Sequence, residues 1–175
     1  MARKTTLSAG KPKTIQPYPI VYITKDLISE FCDRTNHYSV KKIETGGVLF
    51  GEKNTDRIII KNILFPAQNQ SSNHWSVTDQ GNEEIARFAE NSKLQIMGTI
   101  HTHPFMMTTP SSIDLHQMNF LEKSEPNAIS IIVNHADQSM SRIMRLNEEG
   151  CGGPHGPLPF WGPSTPVDYN IKNVK

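Results

Sequence analysis

Residues 95–117 read QIMGTIHTHPFMMTTPSSIDLHQ, and they place two His, a Ser and an Asp at the spacing of a metal site. Ile96 to His103 reads as a strand. Side chains alternate faces along a strand, so His101 and His103, two apart, point to the same side. Pro104 ends the strand, and a polar, Met-rich connection runs to Pro110. A helical pattern begins at Ser111, where Ser111 and Asp114, three apart, are neighbours on one helix face. Two imidazoles and one carboxylate can therefore meet where this strand and helix converge.

That donor set suits zinc. Catalytic zinc takes three nitrogen or oxygen ligands from the protein and keeps its fourth tetrahedral position for water, whose pKa it lowers to about 7. His101, His103 and Asp114 supply such a triad. The water's proton needs a base, and Glu44 in IETGGVLFG is the candidate, at the start of a short apolar strand whose glycines let backbone approach a ligand. Each fragment also has a plainer reading. Ser111-x-x-Asp114 is a relative of the capping box, satisfying free amides at a helix start. A His-x-His pair on a solvated strand face costs nothing. The fragments in combination, at fixed spacing, favour the metal. Other His-x-His folds fit less well: a cupin-type site needs a carboxylate soon after the second His, where Met107 and Thr108 stand, and an amidohydrolase barrel needs about 250 residues.

The pattern of Glu44, His101-x-His103, seven residues and Ser111-x-x-Asp114 resembles the JAMM (MPN+) metalloprotease signature at every position, over roughly Ile20 to Leu158. These zinc isopeptidases mostly remove ubiquitin or ubiquitin-like proteins. The resemblance implies an MPN domain of cytidine-deaminase-like fold, with zinc on His101, His103 and Asp114, Glu44 as general base and then acid, and Ser111 stabilising the oxyanion. Within the family, the segments Glu44–Gly51, Gly98–Pro104 and Ser111–His116 look most like the AMSH group of endosomal deubiquitinases. That likeness implies a preference for lysine-63-linked chains and a second, structural zinc, for which His116, Cys151 and His155 stand in matching places. The family's downstream His-x-His is here a single His155, so a fourth ligand is unassigned. It also implies a substrate-contacting insertion at Gln68 to Thr78, which brings Trp75 toward ubiquitin. The alternatives are an enzyme on another ubiquitin-like or sulfur-carrier modifier, or a non-catalytic ubiquitin-binding module. Endosomal sorting partners, if any, would bind through regions outside this chain.

Working outward, 175 residues at 36% hydrophobic suffice for one sizeable core. A net charge of +1 provides no field for nucleic acid or anionic membrane. Two cysteines, Cys32 and Cys151, cannot build a disulfide framework and point to a reducing compartment. With no long apolar run and no signal peptide, a cytoplasmic protein is expected, without membrane insertion and with the endosome as the place the resemblance implies.

The chain then divides into a flexible basic lead-in at 1–19 and one catalytic domain at 20–175. Ile20 to Ile23 predicts a strand, and Thr24 the N-cap of a helix from Lys25 to Tyr38 with Leu27, Ile28, Phe31 and Cys32 as its apolar stripe. Glu44 to Gly51 and Arg57 to Pro66 predict paired strands, and Thr78 opens a helix ending near Ser92. After the Asp114 helix, Asn127 to Asn134 reads as a strand buried on both faces, with another from Met140 to Asn147. Strands and helices alternate, so the fold class is α/β, a mixed β-sheet flanked by helices. Residues 150–166 hold ten Gly or Pro in seventeen, which excludes helix and central strand. The loop they form would be stapled by the second zinc and would offer Phe160 and Trp161 as apolar surface to ubiquitin.

Overall fold

A computed structural model describes residues 20–55, 57–103, 110–125, 128–133 and 140–144. The lead-in at 1–19 and the Gly/Pro-rich segment at 150–166 lie outside the described residues. The elements run β1 (Ile20–Tyr22), α1 (Lys25–Val40), β2 (Gly46–Lys53), β3 (Arg57–Leu64), β4 (Gln68–Gln70), β5 (Trp75–Val77), α2 (Asp79–Ser92), β6 (Gln95–Thr102), α3 (Ser112–Ser124), β7 (Ile129–Val133) and β8 (Met140–Met144).

Six strands form one mixed sheet in the order β1-β3-β2-β6-β7-β8. β1 and β3 run parallel, as do β6 and β7, while β2 is antiparallel to both its neighbours. β4 and β5 make a separate antiparallel hairpin. Residues 68–78, read from sequence as a polar insertion, thus have secondary structure of their own.

Local chemistry sets the boundaries. Thr24 caps α1 by accepting the Leu27 amide at 3.2 Å, and Thr78 caps α2 by accepting that of Gly81 at 3.1 Å. The α1 stripe of Ile28, Phe31, Cys32 and Thr35 is buried, as a helix lying on a sheet requires. Thr35 is tolerated there because its hydroxyl donates to the Phe31 carbonyl at 2.7 Å. Cys32 is a free core thiol, pushed up in pKa by burial and then by neighbouring Asp33.

The sheet is covered on both faces. Leu49 joins Phe31, Ile58, Ile100 and Ile131 in the main apolar cluster, whereas the next residue, Phe50, meets Phe88 of α2 with ring centroids 4.7 Å apart. All five β7 residues, ISIIV, are buried, which explains the unbroken apolar run. Gly98 lets β6 and β7 close up: its φ is +145°, and a Cβ there would lie 1.8 Å from the Ile129 carbonyl oxygen. Lys53, at the end of β2, pairs with Glu125 just past α3 and ties that helix back to the sheet. Among the described residues no helix is long and apolar enough to cross a membrane.

One boundary corrects the sequence reading. β2 starts at Gly46, so Glu44 lies ahead of the strand rather than on it. The chain there pairs sideways: the Glu44 amide donates to the Ser71 carbonyl at 2.7 Å, beyond the reach of the β2–β3 ladder.

Candidate metal centre

Strand β6 carries His101 beside Gly46 of β2, its register partner, and His103 follows just past the strand end. Asp114 comes from the first turn of α3 and is buried, at 6% exposed. His101 Nε2 lies 3.0 Å from His103 Nε2 and 3.1 Å from Asp114 Oδ1, and His103 Nε2 lies 3.3 Å from Asp114 Oδ2. Three donors on a tetrahedral zinc at about 2.05 Å would stand roughly 3.3 Å apart. The triad has that size and the chemistry of a zinc-hydrolase donor set, so these residues fit the ion.

The start of α3 fixes the carboxylate. Ser111 donates both its backbone N–H, at 2.6 Å, and its hydroxyl, at 2.7 Å, to Asp114 Oδ2, while its Oγ accepts the Asp114 amide at 3.2 Å. This is a full capping box, so the plain reading of Ser-x-x-Asp holds together with the metal-site geometry. Oδ2 takes both hydrogen bonds of the cap and also faces His103, while Oδ1 is turned to His101.

Electrostatics favour a metal-ready charge state. Burial lowers the His101 pKa, which Asp114 partly restores, so the imidazole tends to stay neutral and able to ligate. For Asp114, burial opposes ionisation, but hydrogen bonds from His101, His103 and Ser111 overcome it and hold the carboxyl well below its usual range. Glu44, 8% exposed, is pushed above the usual carboxyl range by burial, with His103 pulling it down and Asp114 pushing it up. Its charge therefore communicates with both ligands.

Trp75 corrects an expectation. Placed from sequence at a partner surface, it is 3% exposed, its ring centroid 6.2 Å from that of His101. Gly46 explains why: a Cβ there would lie 2.6 Å from Trp75 Cε2, so the missing side chain makes room for the indole over the strand. The ring packs beside His101 inside the protein and not at its surface. Trp75 Nε1 and His101 Nδ1, both buried, have no hydrogen-bond partner among the described residues.

Of the second proposed ligand set, only His116 is described, exposed on α3, while Cys151 and His155 lie outside the described residues. Phe160 and Trp161 lie outside them too. Sequence reading missed Gln68 and Gln70, whose side chains hold the residues beside Glu44. The one available signal was the bare Gly46-Gly47 pair, which announces close packing without naming its partner.

Residues 24–147 match the family described as prokaryotic homologs of the JAB domain. AMSH-like protease sst2 of Schizosaccharomyces pombe is 28% identical over 135 residues, covering 77% of this chain and 31% of its own length. STAM-binding protein of Rattus norvegicus is 31% identical over 153 residues, covering 82% and 35%. AMSH-like ubiquitin thioesterase 2 of Arabidopsis thaliana is 28% identical over 131 residues, covering 74% and 58%. The chain spans about a third of the length of the first two. The solution structure of protein DSY2949 from Desulfitobacterium hafniense matches with a TM-score of 0.53 at 19% identity, covering 67% of this chain and 76% of that one, a likeness of fold alone.

Proposed function

The chain belongs to the JAB (JAMM/MPN) family, with AMSH-type relatives, and from that premise we propose that it is a zinc-dependent isopeptidase that cleaves ubiquitin from polyubiquitin chains. The observation that carries this is the convergence of His101, His103 and Asp114 within a few ångströms beside buried Glu44. A zinc held by His101 Nε2, His103 Nε2 and Asp114 Oδ1 would supply a Lewis acid and an acidified water.

The chain's own residues do the rest. Glu44 takes the attacking water's proton on its carboxylate and returns it to the nitrogen of the departing lysine amine. Its raised pKa suits a group that must both accept and release a proton. Ser111 holds Asp114 Oδ2 twice over, through N–H and O–H. The hydroxyl can therefore swing to the carbonyl oxygen as charge develops, while the N–H keeps the carboxylate from turning. Trp75 and the sheet exclude water from the inner side of His101, which strengthens each of these charge interactions.

The resemblance of Glu44–Gly51, Gly98–Pro104 and Ser111–His116 to the AMSH group motivates lysine-63-linked chains as preferred substrate, and a relative named STAM-binding protein motivates a protein partner for the whole protein. A second zinc on His116, Cys151 and His155, and a ubiquitin contact through Phe160 and Trp161, complete the proposal. The match to a prokaryotic family favours one second reading, an enzyme on another ubiquitin-like or sulfur-carrier modifier. The test is a cleavage panel of linkage-defined diubiquitins and other modifiers, with and without a strong chelator. Chelator-sensitive cleavage of lysine-63 diubiquitin is the expected result; cleavage of a different modifier alone would select the second reading, and none at all would overturn both.

A further inference from the structure

Glu44, Thr45 and Gly46 lead into β2 beyond the last β2–β3 pair, Val48↔Leu64, so on that edge their backbone has lost its neighbouring strand. The β4–β5 hairpin replaces it residue by residue. Gly46 donates its amide to Gln68 Oε1 at 3.1 Å, and Gln68 Nε2 donates back to the Gly46 carbonyl at 3.0 Å. One side-chain amide thus reproduces both hydrogen bonds of a ladder rung. Its second N–H goes to the Pro66 carbonyl at 3.3 Å, which fixes the amide in a single orientation. Gln70 Nε2 donates to Thr45 Oγ1 at 2.5 Å, and the Ser71 carbonyl accepts the Glu44 amide. On the opposite edge the same segment is held by the strand of the metal ligands, through the Thr102 amide on the Thr45 carbonyl at 3.0 Å. The hairpin segment holds all three successive residues, and the His101 strand holds Thr45 and Gly46 from the other side.

We propose that Gln68, seconded by Gln70, is a positioning residue that sets where the Glu44 carboxylate stands relative to His101, His103 and Asp114. This rests on the reading of Glu44 as proton carrier. Among the described residues the Gln68 side chain bonds only to Thr45, Gly46 and Pro66 and to no metal ligand; it acts on the backbone two residues from Glu44. Without the rung, buried Gly46 would keep its β6 pairing but lose its other edge, and the carboxylate two residues away would wander while the metal triad stayed whole.

The test is Gln68→Met, which keeps the length of the side chain and removes its hydrogen bonds. Two readouts are needed. Amide hydrogen exchange on the metal-stripped protein is expected to quicken at Glu44 and Gly46 by about tenfold or more, with Ile100 and Ile131 unchanged. Turnover per zinc-loaded molecule is expected to fall about tenfold in kcat with KM within about twofold, the mark of a misplaced group. Gln70→Ala, which removes a single bond to Thr45, should shift both readouts the same way by less, and serves if Gln68→Met folds poorly. Thr24→Ala, which weakens the α1 cap far from the site, is the control for plain loss of stability and should leave kcat per zinc unchanged. Unchanged exchange at Glu44 and Gly46, or a rise shared equally by Ile100 and Ile131, would overturn the inference. A wild-type protein that cleaves nothing would count against the enzyme reading instead, and the exchange result would still decide the role of Gln68.

Discussion

The metal-ligand half of the site is assembled from one short run of chain, whereas the Glu44 half depends on partners 22 and 25 residues away in sequence. His101 and His103 are aligned by strand alternation and Asp114 by a helix cap, each a local rule with little to go wrong. Glu44 lies outside regular structure: its amide is held by the Ser71 carbonyl, and the next two residues, Thr45 and Gly46, by glutamine side chains on a small hairpin. The ligand half should therefore fail in an all-or-none manner, while the Glu44 half should fail by degrees.

The largest effect belongs to His101→Ala, which should remove bound zinc and take cleavage to the detection limit; a variant that keeps full zinc would break the assignment of this half. Glu44→Gln should lower kcat roughly 10²- to 10⁴-fold with zinc content intact, the scale of a lost general base. Zinc loss in that variant would mean that the two halves are not separable. Gly46→Ala drives a Cβ toward the Trp75 ring and should cost about 1–3 kcal/mol, read as a lower thermal midpoint. Ser111→Ala should cost less, about 1 kcal/mol through the cap, with zinc affinity reduced about tenfold because the Ser111 N–H still holds Asp114.

A pH series sharpens the contrast for the metal-stripped protein. The His101 pKa is lowered from 6.5, so the unfolded chain takes up that proton first, and stability is lost as pH falls below about 6.5. Asp114, lowered from 3.8, adds a further loss below that value. Glu44, raised from 4.5, works in the opposite sense just above 4.5, where the folded chain binds the proton more readily. The thermal midpoint should therefore decline from pH 7.5 to 5.5; a flat profile would mean that His101 is not held neutral by the fold.

What was legible in the sequence follows the same division. Thr24, Thr78 and Ser111 each announced a helix because an N-cap is a one-residue rule, and all three accept the amides that rule requires. The alternation that put His101 and His103 on one side, and the three-residue step from Ser111 to Asp114, are equally local, and the triad converges. Glu44 reads as the start of a strand because it adjoins the short apolar, Gly-flanked run GGVLFG, yet its backbone pairs with Ser71 and not with β3. Trp75 is expected near a partner because the AMSH resemblance implies a substrate-contacting insertion at Gln68 to Thr78; its burial follows from the room that Gly46, remote in sequence but adjacent in space, leaves for the indole. Gln68 carried no signal, since a side chain that imitates a strand rung has neither periodicity nor motif.

The most direct measurement is zinc per chain in the purified protein by mass spectrometry, for wild type and for His101→Ala. A wild-type content of at least one zinc, with one fewer in the variant, is the predicted result; a second zinc that survives the substitution would belong to the set around His116. Wild-type protein that holds no zinc after reconstitution, or a variant that holds as much as wild type, would contradict the assignment of His101, His103 and Asp114 as a metal centre.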